Sequence, residues 1–191
     1  MSCITELPDG YKEIKQLNLQ EDKKTLLIVN GLAVVLYLVL FTIAFIIKPF
    51  DLDLITIDLV VSLLTCVALI VYMVLHELTH GIVMKHYGGQ EVKYGFTGLY
   101  AYAGSTGDYF SAKAYIAIAL APLVLWTLFF TILLILFHET LYWPLVILQV
   151  TNIGGCAGDI YVAYLVSQYK EDIYIRDTGL DVTIYGEEHE E

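Results

Sequence analysis

Four long apolar runs, separated by short polar segments, dominate the pattern of hydrophobic and polar positions along the chain. They cover residues 25–47, 55 to about 87, 112–137 and 141 to about 168. Each run reaches the length of about 20 apolar residues that a membrane-spanning helix requires. No small-residue cleavage site follows the first run, so we interpret it as a retained span and not as a signal peptide. The pattern predicts an all-α membrane protein with four transmembrane helices.

Shorter patterns in the polar segments predict a small amount of β-structure. Between residues 91 and 110, aromatic side chains are interleaved with glycines, which favours a β-hairpin at the inner membrane interface. An irregular aromatic loop is the alternative for this segment. From residue 172 to 185, apolar positions alternate on both sides of Asp177-Thr178-Gly179, which predicts a short C-terminal β-hairpin in the tail.

The other polar residues lie mainly at the two ends of the chain. Residues 1–24 are the predicted cytoplasmic N-terminal segment, in which Pro8-Asp9-Gly10 indicates a turn that a short helix can follow. Residues 25–170 are the predicted four-span membrane domain. Residues 171–191 are the predicted cytoplasmic tail, which ends in a solvated acidic run.

Composition and charge agree with a membrane protein and predict its orientation. Hydrophobic residues make up 58% of the chain and charged residues 16%, against about 25% charged residues in soluble proteins. Nine of the ten lysines and arginines fall on one alternate side of the predicted spans, and Lys48 falls on the other. This bias predicts a multi-pass protein of the cell membrane with both termini in the cytoplasm, surrounded by the lipid bilayer. The net charge of −11 argues against nucleic acid as a partner.

The candidate chemistry begins with the segment His76-Glu77-Leu78-Thr79-His80, near the end of the second apolar run. On a helix, the two histidines lie on one face about 6 Å apart along the axis, so both can bind one Zn²⁺ ion. Glu77 is then close enough to take a proton from a metal-bound water. Ionisable groups are costly in hydrocarbon and seldom occur there without a function.

A third ligand is predicted in the fourth apolar run. Asp159 is the charged residue of that run, and Asn152 lies seven residues earlier on the same helical face, as a possible accessory residue. Counted from the outer ends of their spans, His76 and Asp159 lie at the same depth, about 25 Å into the bilayer. His76, His80 and Asp159 are therefore the predicted zinc ligands. Glu77 is the predicted catalytic residue.

Other residues fit the third position less well. His86 has the spacing of the longer HExxHxxGxxH motif, but Val83 stands where that motif requires glycine. His138 and Glu139 fall on the outer side of the membrane, and Asp108 lies in a loop on the inner side. A further alternative is that the polar groups hydrogen-bond to each other and hold two spans together without a metal.

With these residues in place, the chain resembles the site-2 protease group of intramembrane zinc metalloproteases. It is most similar to a bacterial membrane family of putative zincin peptidases. The similarity rests on Leu7-Pro8-Asp9-Gly10-Tyr11, on the HExxH segment followed by Gly81, and on the tail from Asp177-Thr178-Gly179 to Ile184-Tyr185. The resemblance implies a zinc site on the two histidines and Asp159 with Glu77 as the base. It also implies that the segment at about 91–110 presents substrate as an extended strand.

The sequence therefore predicts a zinc-dependent endopeptidase that cleaves membrane-associated proteins or peptides near the cytoplasmic face. A non-catalytic membrane regulatory or immunity protein with a structural metal site is the alternative from a different class. A transporter whose intramembrane acids carry protons or metal is a third possibility, which the lack of an inverted-repeat signal disfavours.

Overall fold

The computed structural model describes residues 2–18, 22–49, 59–98, 101–169 and 172–187. This part of the chain is mostly helical. Its helices are α1 (Lys23–Ile47), α2 (Leu59–His86), α3 (Ala112–Phe137), and α4 (Tyr142–Gly155), which leads into α5 (Ala157–Ser167). Counting α4 and α5 together, there are four helices long and apolar enough to cross a membrane within the described ranges. The prediction of four long helices is confirmed, while the expected start of the second run at residue 55 lies outside the described residues.

The fourth long helix differs from its prediction, because it is not continuous from residue 141 to 168. At Cys156 the backbone leaves α-helical geometry, with φ −75° and ψ 8°. The N–H of Cys156 donates to the carbonyl oxygens of both Asn152 and Gly154, which tightens the last turn of α4. The break places Asp159 in the first turn of the new helix α5.

Two antiparallel sheets lie at one end of the helices. The strands are β1 (Cys3–Ile4), β2 (Tyr11–Asn18), β3 (Val92–Phe96), β4 (Ala101–Ser105), β5 (Tyr109–Ser111), β6 (Tyr174–Asp177) and β7 (Asp181–Glu187). The larger sheet has the order β1-β5-β6-β7-β2, and the smaller sheet is the pair β3-β4. The chain therefore contains more β-structure than an all-α protein with two short hairpins.

Both predicted hairpins are present. In the first, β3 pairs with β4 and Tyr94 lies opposite Ala103, while residues 99–100 between the strands lie outside the described residues. In the second, β6 pairs with β7 and Ile175 lies opposite Ile184. The second hairpin is not a separate tail, because β5 and β2 extend it on both sides. The end of the predicted acidic run, residues 188–191, is outside the described part of the chain.

The short helix considered after Pro8-Asp9-Gly10 is wrong, because residues 11–18 form the edge strand β2. This strand pairs with β7 over its length, and Leu17 lies opposite Val182. Leu17 is buried in the sheet core, whereas most other side chains of β2 are exposed. The local sequence carries one deeply buried apolar position, so its conformation is determined by pairing with a strand more than 160 residues away.

The main core lies where the larger sheet meets the ends of three helices. Phe110, Ile175 and Ile184 of the sheet are fully buried against Ile118 of α3 and Val166 of α5. The C-terminal end of α2 enters the same core through Met84. The last turns of α2, which carry the HExxH segment, are therefore held between the helices and the sheet.

Candidate metal centre

The structure brings the three predicted ligands to one point. The Nε2 atoms of His76 and His80 lie 3.2 Å apart. The Asp159 carboxylate places Oδ2 3.5 Å from the first nitrogen and Oδ1 3.6 Å from the second. Tetrahedral zinc with bonds of about 2.0 to 2.2 Å holds its ligand atoms about 3.3 to 3.6 Å apart. The two nitrogens, and each nitrogen with its nearer carboxylate oxygen, are therefore at the spacing of ligands to one ion.

Two helices position these donors for different reasons. The i, i+4 spacing of His76 and His80 on α2 puts both imidazoles on one face of that helix. Asp159 reaches them because the break at Cys156 starts α5 just before it. A carboxylate in the first turn of a helix is also favoured by the helix dipole.

Hydrogen bonds set the tautomer of His76. The amide nitrogen of Asn152 donates to Thr127 Oγ1 at 2.9 Å, which turns the amide oxygen toward Tyr72. The Tyr72 hydroxyl donates to that oxygen at 2.9 Å, and lies 3.0 Å from His76 Nδ1. Since its proton is already given to Asn152, Tyr72 accepts from His76 Nδ1–H. The His76 Nε2 lone pair then faces Asp159 and is available to a metal.

The tautomer of His80 is set by α3. His80 Nδ1 lies 3.0 Å from the carbonyl oxygen of Ile118, which can only accept, so Nδ1 carries the proton. That carbonyl would normally accept from the N–H of residue 122 in the same helix, but residue 122 is Pro122 and has none. Pro122 thus leaves a free helical carbonyl opposite His80.

These tautomers supply a test of whether the site fits a metal. Both Nε2 atoms present lone pairs, and the two carboxylate oxygens are also acceptors. Acceptors facing each other at 3.2 to 3.6 Å repel unless a proton or a cation lies between them. The side chains are only 13%, 11% and 25% exposed for His76, His80 and Asp159, so water screens them weakly. The donor set fits a divalent cation, and two imidazoles with one carboxylate suit zinc.

Glu77 lies on the same turn of α2 but faces the β3–β4 hairpin. Its carboxylate is next to the backbone of Ala103 in β4. The hairpin packs closely on α2 just beyond the HExxH segment, since a side chain at Gly81 would collide with the Tyr94 hydroxyl. Glu77 is therefore held between the two histidines and the strand β4.

A cavity of about 680 Å³ opens beside the site. One wall carries the predicted ligands and Glu77. The opposite walls are formed by Asn30 and neighbouring residues of α1, by β4, and by the turn between β6 and β7. The cavity is large enough for a short stretch of extended peptide, and it gives that peptide access to the ligand cluster.

The structure adds a partly buried polar pair that the sequence pattern did not indicate. The Tyr115 hydroxyl donates to Asp177 Oδ2 at 2.7 Å, and the Gly179 N–H donates to Oδ1 at 2.7 Å. Both Tyr115 and Asp177 line the cavity. Burial raises the pKa of the Asp177 carboxyl, and these two hydrogen bonds partly oppose that rise. The sequence offered Asp177 as a turn residue, and nothing in its local pattern shows that the turn folds back onto α3.

Tyr72 was also missed, although a signal was present. It lies four residues before His76 on α2, and therefore on the same helical face. Asn152, predicted as an accessory residue, acts on the site through Tyr72 and does not contact a histidine in the described hydrogen bonds.

The less favoured ligand candidates lie elsewhere. Asp108 is buried at the base of the β3–β4 hairpin, where it accepts hydrogen bonds from the Gln90 and Glu91 N–H groups and from the Ser105 hydroxyl. His138 Nδ1 lies near the carbonyl of Ile135 at the far end of α3. His86 and His138 are not among the residues that line the cavity in the described part of the chain.

Cys156 lies beside the predicted ligands. Its sulfur and one ligand atom each of His76 and Asp159 all lie within 4.8 Å of one another. The residue is fully buried and does not line the cavity. A thiol is thus present on the protein side of the ligand cluster.

A family model described as putative zincin peptidase matches residues 69–174, which is more than half of the 191-residue chain. The matched range contains the HExxH segment, Asp159 and the first residue of β6. No curated protein and no solved structure matches the chain.

Proposed function

Because the chain belongs to the putative zincin peptidase family, we propose that it is a zinc-dependent intramembrane endopeptidase similar to site-2 proteases. The observation that carries the proposal is the convergence of His76, His80 and Asp159 at tetrahedral spacing, with Glu77 on the same turn of α2. The family supports zinc metallopeptidase activity, and the four long apolar helices support a place in the membrane.

Each residue of the site has a defined task in this proposal. His76, His80 and Asp159 would hold a zinc ion, which would supply the Lewis acidity that makes a water molecule a strong nucleophile near neutral pH. Glu77 accepts the proton of that water as it attacks a peptide carbonyl, and then donates the proton to the leaving amine. Tyr72 and the Ile118 carbonyl keep the imidazole tautomers fixed throughout.

The substrate in this proposal is an extended segment of a membrane protein or membrane-associated peptide. A helical substrate has its carbonyl groups already hydrogen-bonded, so it must unwind before it can be cut. The cavity lies at the end of the helices that adjoins the two sheets, and the lysine and arginine bias assigns that end to the cytoplasm. Cleavage near the cytoplasmic face of the cell membrane follows, with both termini on that side.

The test separates metal binding from catalysis. In purified full-length protein, Glu77→Gln retains zinc but loses proteolysis, whereas His76→Ala loses both. The Glu77→Gln protein also serves as a trap, since it holds uncleaved substrate that mass spectrometry can identify. Wild-type protein that contains no stoichiometric zinc, or a Glu77→Gln protein that cleaves at the wild-type rate, would contradict the proposal.

A second candidate function is favoured by the position of Cys156. Four protein ligands are typical of structural zinc sites, and Cys156 could be the fourth. The protein would then be a non-catalytic membrane regulatory or immunity protein in which the metal holds α2 to α5. We expect the regulatory or immunity function to survive Glu77→Gln in cells and the peptidase function to be lost.

A further inference from the structure

Cys156 is the one metal-ligating side chain beside the cluster, within the described residues, to which the peptidase mechanism gives no task. It lies at the break between α4 and α5, three residues before Asp159. Its sulfur lies 4.0 Å from the Asn152 amide oxygen and is also beside the Asp159 carboxylate. The thiol is therefore adjacent to two of the predicted metal ligands, His76 and Asp159.

The distances show how far the thiol is from a ligand position. In tetrahedral zinc, a thiolate sulfur lies about 3.6 Å from a neighbouring nitrogen or oxygen donor. The sulfur of Cys156 and the donors of His76 and Asp159 are within 4.8 Å of one another. An approach of at most about 1 Å would bring the sulfur to ligand distance from these two donors.

Binding of Cys156 would exclude a catalytic water from the metal. The three predicted ligands line the cavity, but Cys156 is fully buried and does not. Three fixed protein ligands leave one tetrahedral position, so a bound thiol and a catalytic water would compete for it. Four protein ligands would satisfy tetrahedral zinc and leave no position for that water.

We propose that Cys156 is an exchangeable fourth ligand that closes the zinc site in its resting state. The inference rests on the zinc site of the proposed function. On closing, the sulfur–metal bond forms as the bond to water breaks, and the thiol proton passes to the cavity water. On opening, the sulfur regains a proton and water returns to the vacated position. The peptidase is thereby latent until Cys156 leaves the metal.

Cobalt substitution of the full-length protein in detergent tests this directly. Co²⁺ in a tetrahedral site gives visible d–d absorption bands, and a bound thiolate adds a ligand-to-metal charge-transfer band in the near ultraviolet. We expect both in the wild type, and loss of the charge-transfer band alone in Cys156→Ser. The matched control is the double variant Cys3→Ser, Cys66→Ser, in which Cys156 is the remaining thiol and the band must persist.

The outcomes separate the two proposals. If the wild type shows d–d bands without a charge-transfer band, Cys156 is not a ligand and the inference is overturned while the metal site stands. If the wild type binds no cobalt, the metal site itself fails, and the inference fails with it. Because the wild type and the double variant suffice to detect sulfur ligation, the inference remains falsifiable even if Cys156→Ser does not fold.

The inference also makes a kinetic prediction. Without the fourth ligand, we expect Cys156→Ser to release zinc to a chelator faster than the wild type and to cleave substrate faster per bound zinc. Equal rates of zinc release in the two proteins would overturn the closed resting state.

Discussion

The first and fourth long helices are both apolar enough to cross a membrane, but the protein buries them to very different extents. In the most apolar stretch of α1 no residue is buried, whereas half of the corresponding stretch of α4 and α5 is buried. α1 touches the rest of the protein mainly through α4, where the Tyr37 ring lies on Gly154 and the Tyr142 hydroxyl donates to the Ala44 carbonyl. α4 and α5 instead lie between α1 and α3.

Hydrophobicity therefore predicts the length of a helix but not whether the rest of the protein buries it. The small and polar residues of the fourth long helix let other helices approach and hydrogen-bond to it, as Asn152 does with Tyr72 and Thr127. α1 lacks such a set and remains peripheral, although it contributes Asn30 to the cavity wall. Substitutions in the two helices should therefore have very different effects on the metal site.

The largest effect is expected from Asp159→Ala in α5. Removal of the carboxylate leaves two imidazoles, and we expect zinc binding and proteolysis to be abolished. The comparison variant is Asn30→Ala, the polar cavity residue of α1, which should retain zinc at the wild-type level. Isothermal titration of zinc into the metal-free form of each variant measures its zinc affinity. Zinc affinity that is equally reduced in the two variants would contradict the distinction between the helices.

The next largest effect is expected from Tyr72→Phe. This change removes the acceptor that fixes the His76 tautomer, and loss of such a partner typically lowers metal affinity about 10- to 100-fold. Tyr37→Phe is the matched control, because Tyr37 is a partly buried tyrosine of α1 that packs on α4 without a described contact to a histidine. Competition with a chelator of known affinity compares the two. An unchanged zinc affinity in Tyr72→Phe would show that the tautomer is set in another way.

A smaller effect, on stability, is expected from Gly154→Ala. Its new methyl group would lie 2.6 Å from the Tyr37 ring, so α1 must move away from α4, at a cost of about 1 to 3 kcal/mol. Gly31→Ala in α1 meets no atom within 4 Å and should leave stability unchanged or slightly increased. Thermal unfolding in detergent measures the stability of each variant. Equal unfolding temperatures for the two variants would mean that α1 does not pack on α4 as described.

The smallest effect is expected from Pro122→Ala. The new N–H at residue 122 would compete for the Ile118 carbonyl that now accepts from His80. A carbonyl oxygen has two lone pairs and can accept both donors, so we expect only a few-fold loss of zinc affinity, less than in Tyr72→Phe. Competition with a chelator of known affinity measures the zinc affinity of this variant. A loss as large as that of Asp159→Ala would indicate that Pro122 shapes α3 itself.

Much of the fold could be predicted from local patterns. The four long helices follow from the length of the apolar runs, and both hairpins follow from alternation around glycine-containing turns. The strand β2 could not be predicted, because its pairing with β7 joins opposite ends of the chain. The break at Cys156 was also missed, since hydropathy does not change where α4 ends and α5 begins.

The candidate site was likewise only partly predictable from the sequence. The spacing of His76 and His80 and the isolated charge of Asp159 indicate a site, and the structure brings these residues together, while their binding of zinc stays a prediction. The contacts that orient the histidines come from other helices. The free carbonyl of Ile118 depends on a proline in α3, and the proximity of Cys156 depends on the break, so neither can be predicted from spacing.

The central claim is that His76, His80 and Asp159 bind one divalent cation together. Zinc-edge X-ray absorption of the purified full-length wild type is the decisive test, because it detects bound zinc and identifies the imidazoles among its ligands. We expect about one zinc ion per chain, with two imidazoles in its ligand shell. Protein without stoichiometric zinc, or zinc whose ligand shell contains no imidazole, would contradict it.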